Sequence, residues 1–216
     1  MPDLSFQVEA VEPLPFAATP LLVFKLRITN AAPEEQIHAV MLRCQIQIET
    51  MRRPYNTQDQ ARLFELFGPP ELWGRALQSL LWTHTNVNVP PFTGSSRVDL
   101  PVPCTYDFNL ATVKYFNALE DGEVPLKLLF SGTVFYMGRG GALQIAQIPW
   151  DRETTFRLPV RVWKEMMDLY YPNSAWLCLR KDVFDRLHRY KVRRGLLTWE
   201  QALESLLPAG DQEGQP

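Results

Sequence analysis

From Val40 to Ile48 every second side chain is apolar: Val40, Leu42, Cys44, Ile46 and Ile48 alternate with Arg43, Gln45 and Gln47 around them. Only an extended strand sends alternate residues to opposite faces, so this stretch demands a sheet with one buried and one wet face. Residues 20–29 repeat the pattern, with Leu22, Phe24, Leu26 and Ile28 against Lys25 and Arg27, and Leu4, Phe6 and Val8 do so between Ser5, Gln7 and Glu9. Asn30–Glu34 reads as the turn after the second of these. Similar runs over 79–89 and 97–108 flank PPFTGSS, a hairpin connection. VPLKLLFSGTVFYM reads as a long apolar strand in which Gly132 marks a bulge or a close backbone approach. GRGG then turns the chain into ALQIAQIP, with Arg139 at the tip, and a last strand covers 152–158.

The helical segments are fewer. NTQDQARLFELFGPP changes period: Asn56 or Thr57 supplies a cap, Ala61, Phe64 and Phe67 form the expected inward stripe, and Gly68-Pro69 stops it. LATVKYFNAL (110–119) reads as a short helix stopped at EDG. Further helices are expected at 159–171, 182–194 and 198–207, the last opened by the capping-box pair Thr198 and Gln201. Trp163, Met166, Met167 and Tyr170 read as core, and AWLCL (175–179) as a strand or buried connector. The expected fold is therefore α+β, an antiparallel sheet or sandwich of eight or so strands with helices clustered toward the C-terminus. One domain is expected over 1–207, strand-rich over 1–158 and helical over 159–207, followed by a disordered tail at 208–216.

Composition narrows the class. At 216 residues, 46% hydrophobic and 21% charged, the chain can bury a core without metal or disulfide support. No apolar run approaches the roughly 18 residues of a spanning helix. MPDLSFQVEA has neither a basic nor an apolar leader region, and Cys44, Cys104 and Cys178 form no CxxC pair, so a reducing cytoplasm is the expected setting.

Cys104 and His84 are the one thiol–imidazole pair within plausible reach, and a dyad needs both on one face. The apolar side of 97–108 runs through Val98, Leu100, Val102, Cys104, Tyr106 and Phe108. The apolar side of 79–89 runs through Leu81, Thr83, Thr85, Val87 and Val89, which sends Trp82, His84, Asn86 and Asn88 outward. Regular pairing thus puts Cys104 inside and His84 outside; a one-residue bulge would reverse the parity. Pro101 and Pro103 remove amide donors from one side of their strand, which marks it as an edge there.

His38 and Cys44 share a predicted face but are too few for a zinc site. GRGG lacks the Gly-Lys-Ser/Thr ending and helix of a phosphate loop. Asp99, Asp107, Glu120 and Asp121 imply no paired acid and base. No catalytic residue, metal ligand or cofactor site is therefore assigned. A small-molecule enzyme, the alternative reading, would draw on His84, Cys104 or Asp107.

The net charge of −2 conceals an asymmetry: residues 161–194 hold nine Lys/Arg against four Asp/Glu, or +5, leaving −7 elsewhere. In DVFDRLHRYKVRRG, Val183, Leu187 and Tyr190 form one stripe and Arg186, Arg189 and Arg193 another, with His188 among the solvated residues. The functional alternative to a merely solvated face is an acidic partner. Nucleic-acid modules and aromatic platforms are absent from the sequence, so the expected partner is protein. Trp82, His84, Arg186, Arg189 and Arg193 are the expected contact residues.

LLWTHTNVNVPPFTG (80–94), CTYDFNLATVKYFNALEDGEVPLKLLFSGTVFY (104–136), FRLPVRVWKEMMDLYYP (156–172) and WLCLRKDVFDRLHRYK…LLTWEQALESLL (176–207) resemble an uncharacterised bacterial family of this length. The resemblance runs over residues 5–207. That family's members are similar to proteins encoded beside nickel–iron uptake hydrogenases, which implies an accessory or assembly role and a hydrogenase subunit as partner. The family has no assigned catalytic motif to carry over. In layout alone, strands followed by a short helix and a Gly-x-x-Pro-Leu step (Gly122 to Leu126), the chain also resembles the export chaperone SecB, which would imply binding to many unfolded chains across a broad apolar groove.

Overall fold

The alternating stretches do pair into two antiparallel sheets. The computed structural model describes residues 2–105, 109–138, 140–175 and 177–207, the side chain of Ala76 excepted. They fall into two units, Met1–Ser174 and Ala175–Pro216. In the first, β1 (Leu4–Pro13), β2 (Leu21–Asn30) and β5 (Ser95–Pro103) form a three-stranded sheet in the order β1-β2-β5. A five-stranded sheet contains β3 (Ile37–Ile48), β4 (Leu80–Val89), β6 (Glu123–Met137), β7 (Leu143–Gln147) and β8 (Glu153–Pro159). Its order is β4-β3-β6-β7, with β8 pairing to the first half of β6.

The inner faces meet as a sandwich. Phe6 stacks on Phe130 with centroids 4.3 Å apart, and Phe24 meets Phe156 edge-on at 5.9 Å. Leu22, Phe24, Leu26 and Ile28 of β2 are all 0% exposed, as are Val40, Cys44, Ile46 and Ile48 of β3. Each fully buried aliphatic or aromatic chain contributes roughly 1.5–3 kcal/mol, so this face-to-face layer carries most of the stability. With six helices among the described residues, the architecture is α+β.

Three register shifts bend the simple alternation. In β1 the extra residue is Glu9, in β3 His38 and in β4 Trp82. A bulge inserts one residue into a ladder and reverses parity beyond it. Hence His38 points to solvent while Ile37 is buried, and His38 and Cys44 do not share a face. At the third bulge Trp82 turns inward, 3% exposed, and Leu81 turns out. The carbonyls of Leu81 and Trp82 accept from Asn109 Nδ2 at 2.9 and 3.1 Å. Asn109 Oδ1 meanwhile accepts from Thr112 N at 3.1 Å and caps α3 (Leu110–Ala118). One side chain thus pins the bulge to the helix start.

Helix α1 (Thr57–Phe67) is capped as expected, Asn56 Oδ1 accepting from Asp59 N at 2.7 Å, and ends at Gly68, φ +69°. Its inward face is Asp59, Leu63 and Phe67, whereas Phe64 is 57% exposed; the expected stripe was rotated. The reason is polar: the Asp59 carboxylate turns in to meet Arg53, Nη2 at 3.5 Å, with both side chains buried. α2 (Trp73–Ala76) is a single turn. α4 (Val160–Tyr170) buries Trp163, Met166 and Met167 in the core, and Trp163 stacks on Phe116 at 5.1 Å.

Gly132 realises the close approach: φ is +139°, and a Cβ there would lie 2.1 Å from the Met41 carbonyl oxygen. The β3–β6 register runs unbroken across it, so it is not a bulge. β5 is the edge of the smaller sheet, as its prolines required. Cys104 N donates to Pro20 O at 2.9 Å, which sets the hydrogen-bonding parity and turns the nitrogens of Pro101 and Pro103 away from β2.

The second unit holds α5 (Lys181–Arg193) and α6 (Trp199–Glu204), and the Thr198–Gln201 capping box is formed. The described residues of AWLCL form neither strand nor buried connector: Leu177 is 65% exposed, Ala175, Cys178 and Leu179 are exposed too, and Trp176 lies outside the described residues. So do Asp107, Arg139 and the expected tail at 208–216.

Candidate functional site

Cys104 and His84 are not brought together. Cys104 is buried at the end of β5, its Sγ donating to Val102 O at 3.3 Å, whereas His84 stands exposed on the outer face of the larger sheet opposite Gln45. The bulge in β4 lies at Trp82, before His84, so it leaves the imidazole's outward parity intact. Burial pushes the Cys104 thiol up to about 12, and burial does the same for Cys44. A thiol so raised supplies almost no thiolate near neutrality and is no nucleophile.

This gives a direct prediction. In the native chain one thiol, the exposed Cys178, is expected to react with an excess of a thiol reagent, and all three after unfolding. The pH dependence follows. The two buried thiols hold their protons more tightly folded than unfolded, so their stabilising contribution is intact below the ordinary value of 9.0 and is lost as pH climbs from there toward about 12. Urea midpoints measured over that interval are expected to fall, and rapid native labelling of Cys104 would refute the assignment.

Of the carboxylates singled out in the sequence, Asp99 and Asp121 serve the scaffold. Asp99 pairs with Lys25 at 3.0 Å, and Asp121 Oδ1 accepts from Gly122 N at 2.6 Å. The glycine-rich stretch after β6 is a hairpin, with Gly138 N donating to Ala142 O. Among the described residues no group of three or more His, Cys, Asp and Glu could hold a metal ion. Trp82, expected at the surface, is off it: its indole packs on Phe116 at 5.2 Å and against Phe24 at 6.3 Å. The bulge that moved it has no signature in alternation alone.

The outer face near His84 carries a feature the sequence reading missed. Arg43 sits between Asn86 on β4 and Ser131 on β6, and with Asn88, Thr133 and Gln147 it lines an open depression of about 580 Å³. Period two had already placed Asn86, Asn88 and Arg43 outward; cross-strand register, which brings them side by side, was needed to see it.

The basic helix supplies a second feature, a row of exposed cations. In α5, Val183, Leu187 and Tyr190 are half-buried while Arg186, Arg189 and Arg193 are exposed, as their spacing predicted. Phe184 and His188 lean on Trp199 of α6 at 5.2 and 6.0 Å, Lys191 lies 5.5 Å above the same indole, and Tyr190 Oη meets Ser205 Oγ at 3.0 Å. The remaining side forms a groove of about 520 Å³ whose floor is Val183, Leu187 and Leu206 and whose walls are the three arginines and Tyr190. Among the described residues no carboxylate pairs with any of these guanidiniums. A planar guanidinium can grip a carboxylate with two parallel hydrogen bonds, so three of them beside an apolar floor have the chemistry to meet an acidic, partly apolar surface.

Fold and site together define a two-sheet antiparallel sandwich unit followed by a two-helix basic unit, with no assembled reactive constellation among the described residues. The chain belongs to a family of unknown function, DUF6084, whose profile matches residues 1–215. No curated protein matches it. One similar solved structure is of a Bordetella pertussis protein provisionally called ApaA: identity is 14%, coverage is 73% of this chain and 94% of the other, and the TM-score is 0.25. Among the described residues no helix is long and apolar enough to cross a membrane.

Proposed function

We propose that the chain is a non-enzymatic accessory protein of the cytoplasm that binds another protein through the arginine face of α5. The observation that carries this reading is the groove in which Arg186, Arg189 and Arg193 stand exposed, without an acidic mate among the described residues, over an apolar floor. The floor supplies contact energy on desolvation, and the guanidiniums steer and orient an acidic partner. His84 remains a candidate for secondary contact because it stands exposed on the outer face of the larger sheet. The resemblance noted from the sequence makes a nickel–iron hydrogenase subunit, met during assembly, the first partner to test. The enzyme alternative loses its best support with Cys104 buried and His84 on the outside.

The test is affinity purification from native cells with the wild-type chain and with an Arg186→Glu, Arg189→Glu, Arg193→Glu triple variant, compared by mass spectrometry. A protein partner recovered with the wild type is expected to fall at least about tenfold with the variant, since reversed charges replace attraction by repulsion. Equal recovery by both, or no stable protein partner at all, sinks the reading. Recovery of a partner unrelated to hydrogenases would retain the arginine surface and discard the hydrogenase.

A further inference from the structure

The free side of β7 is built differently from that of β5. Ile148 N donates to Gly132 O and Gly138 N to Ala142 O, both at 2.9 Å, which fixes the parity of the β6–β7 ladder. Even-numbered residues exchange hydrogen bonds with β6, so Leu143, Ile145 and Gln147 direct their N–H and C=O groups away from it. Among the described residues no strand or loop hydrogen bond takes them up. Sheets usually guard such a row with proline or charge. β5 has Pro101 and Pro103, and β8, on the same side of β6, has exposed Glu153 and Arg157. From Gly140 to Trp150 there is neither a charge nor, before Pro149, a proline.

The side chains fit the same conclusion. Leu143 and Ile145 are 55% and 64% exposed and project on the outer face beside Met137 and Phe135, their cross-strand partners. Trp150, just beyond the strand, is 91% exposed.

We infer that β7 is a self-association edge that pairs antiparallel with β7 of a second copy of this chain across a two-fold axis at Ile145. In that register Ile145 faces its own counterpart and Leu143 faces Gln147, and every free backbone group of the three residues finds a mate. The uncharged strand brings no like charges together and offers nothing to select a charged foreign peptide, so charge compatibility favours a second copy. The apolar chains of the two outer faces come side by side and pack laterally against one another, the same patch meeting itself as in any isologous contact.

The experiment uses the full chain in sedimentation equilibrium. The wild type is expected to dimerise. Ile145→Pro removes an N–H that the β6 ladder does not use, so the fold is retained while the two central hydrogen bonds are lost. At about 1 kcal/mol each, the dissociation constant is expected to rise at least about tenfold. Ile145→Lys, which places like charges face to face and spares the backbone, is expected to act in the same direction. In the wild type, amide exchange at Leu143, Ile145 and Gln147 is expected to slow as protein concentration rises. A wild type that stays monomeric, a dimer indifferent to both variants, or protection that ignores concentration would each overturn the inference.

Discussion

Gly132→Ala is expected to cost the fold about 4 kcal/mol, combining about 1–3 for holding a side chain at positive φ and about 1–3 for overpacking. The backbone sits at φ +139°, and the added Cβ would fall 2.1 Å from the Met41 carbonyl oxygen. Neither problem can be relieved locally. Met41 O belongs to the central strand β3, whose register against β6 is continuous for residues on both sides of Gly132. Moving the carbonyl would separate the two longest strands of the larger sheet. Urea denaturation with the linear extrapolation checks this. A loss under about 1 kcal/mol, within the ordinary range for point substitutions, would mean that the strands are not held so closely.

The second large effect is expected at the buried ion pair. Arg53 Nη1 donates to Glu123 O at 2.7 Å, and Nη2 donates to Asp121 O at 2.5 Å and lies 3.5 Å from Asp59 Oδ2. The side chains are 7% and 3% exposed. Replacing Arg53 by Met keeps the length and removes the charge, leaving the Asp59 carboxylate without its counter-charge and the Asp121 and Glu123 carbonyls without their donor. Breaking one partner of such a pair costs about 3–5 kcal/mol. Asp59→Leu added to Arg53→Met is expected to recover part of that loss, because the stranded charge goes with it. Simple addition of two separate losses in a double-mutant cycle would show that the residues act independently.

Much of the scaffold was legible because the chain is half-buried sheet, where period two is a physical necessity. β2 and β3 were legible residue by residue: Leu22 through Ile28 and Val40 through Ile48 lie inward as their spacing demanded. The misreadings trace to residues that break the period for tertiary reasons. Trp82 turns in because a bulge, tied down by Asn109 from another element, spends one residue without a cross-strand mate. His38 turns out by the same device. In α1 an apolar count favoured Phe64, but the helix rotated to bring Asp59 to Arg53, a pairing between segments that no local window contains. In the candidate site, the stripes of α5 were visible from i, i+3, i+7 spacing. The groove needed Leu206, which α6 brings alongside. The Arg43 depression likewise depends on which strands become neighbours, and alternation does not encode neighbours.

The prolines of β5 carry a further consequence. Their nitrogens point away from β2, so the ladder loses no bond to them, and the outward carbonyl of Pro101 is already occupied by the Thr85 hydroxyl at 2.6 Å. At that end of β5 the smaller sheet offers no donor at Pro101 or Pro103, and the Pro101 acceptor is already taken, so another strand cannot pair in register there. The two prolines therefore act as a chain stopper at that end, where edge-to-edge stacking of crowded molecules finds no ladder to continue.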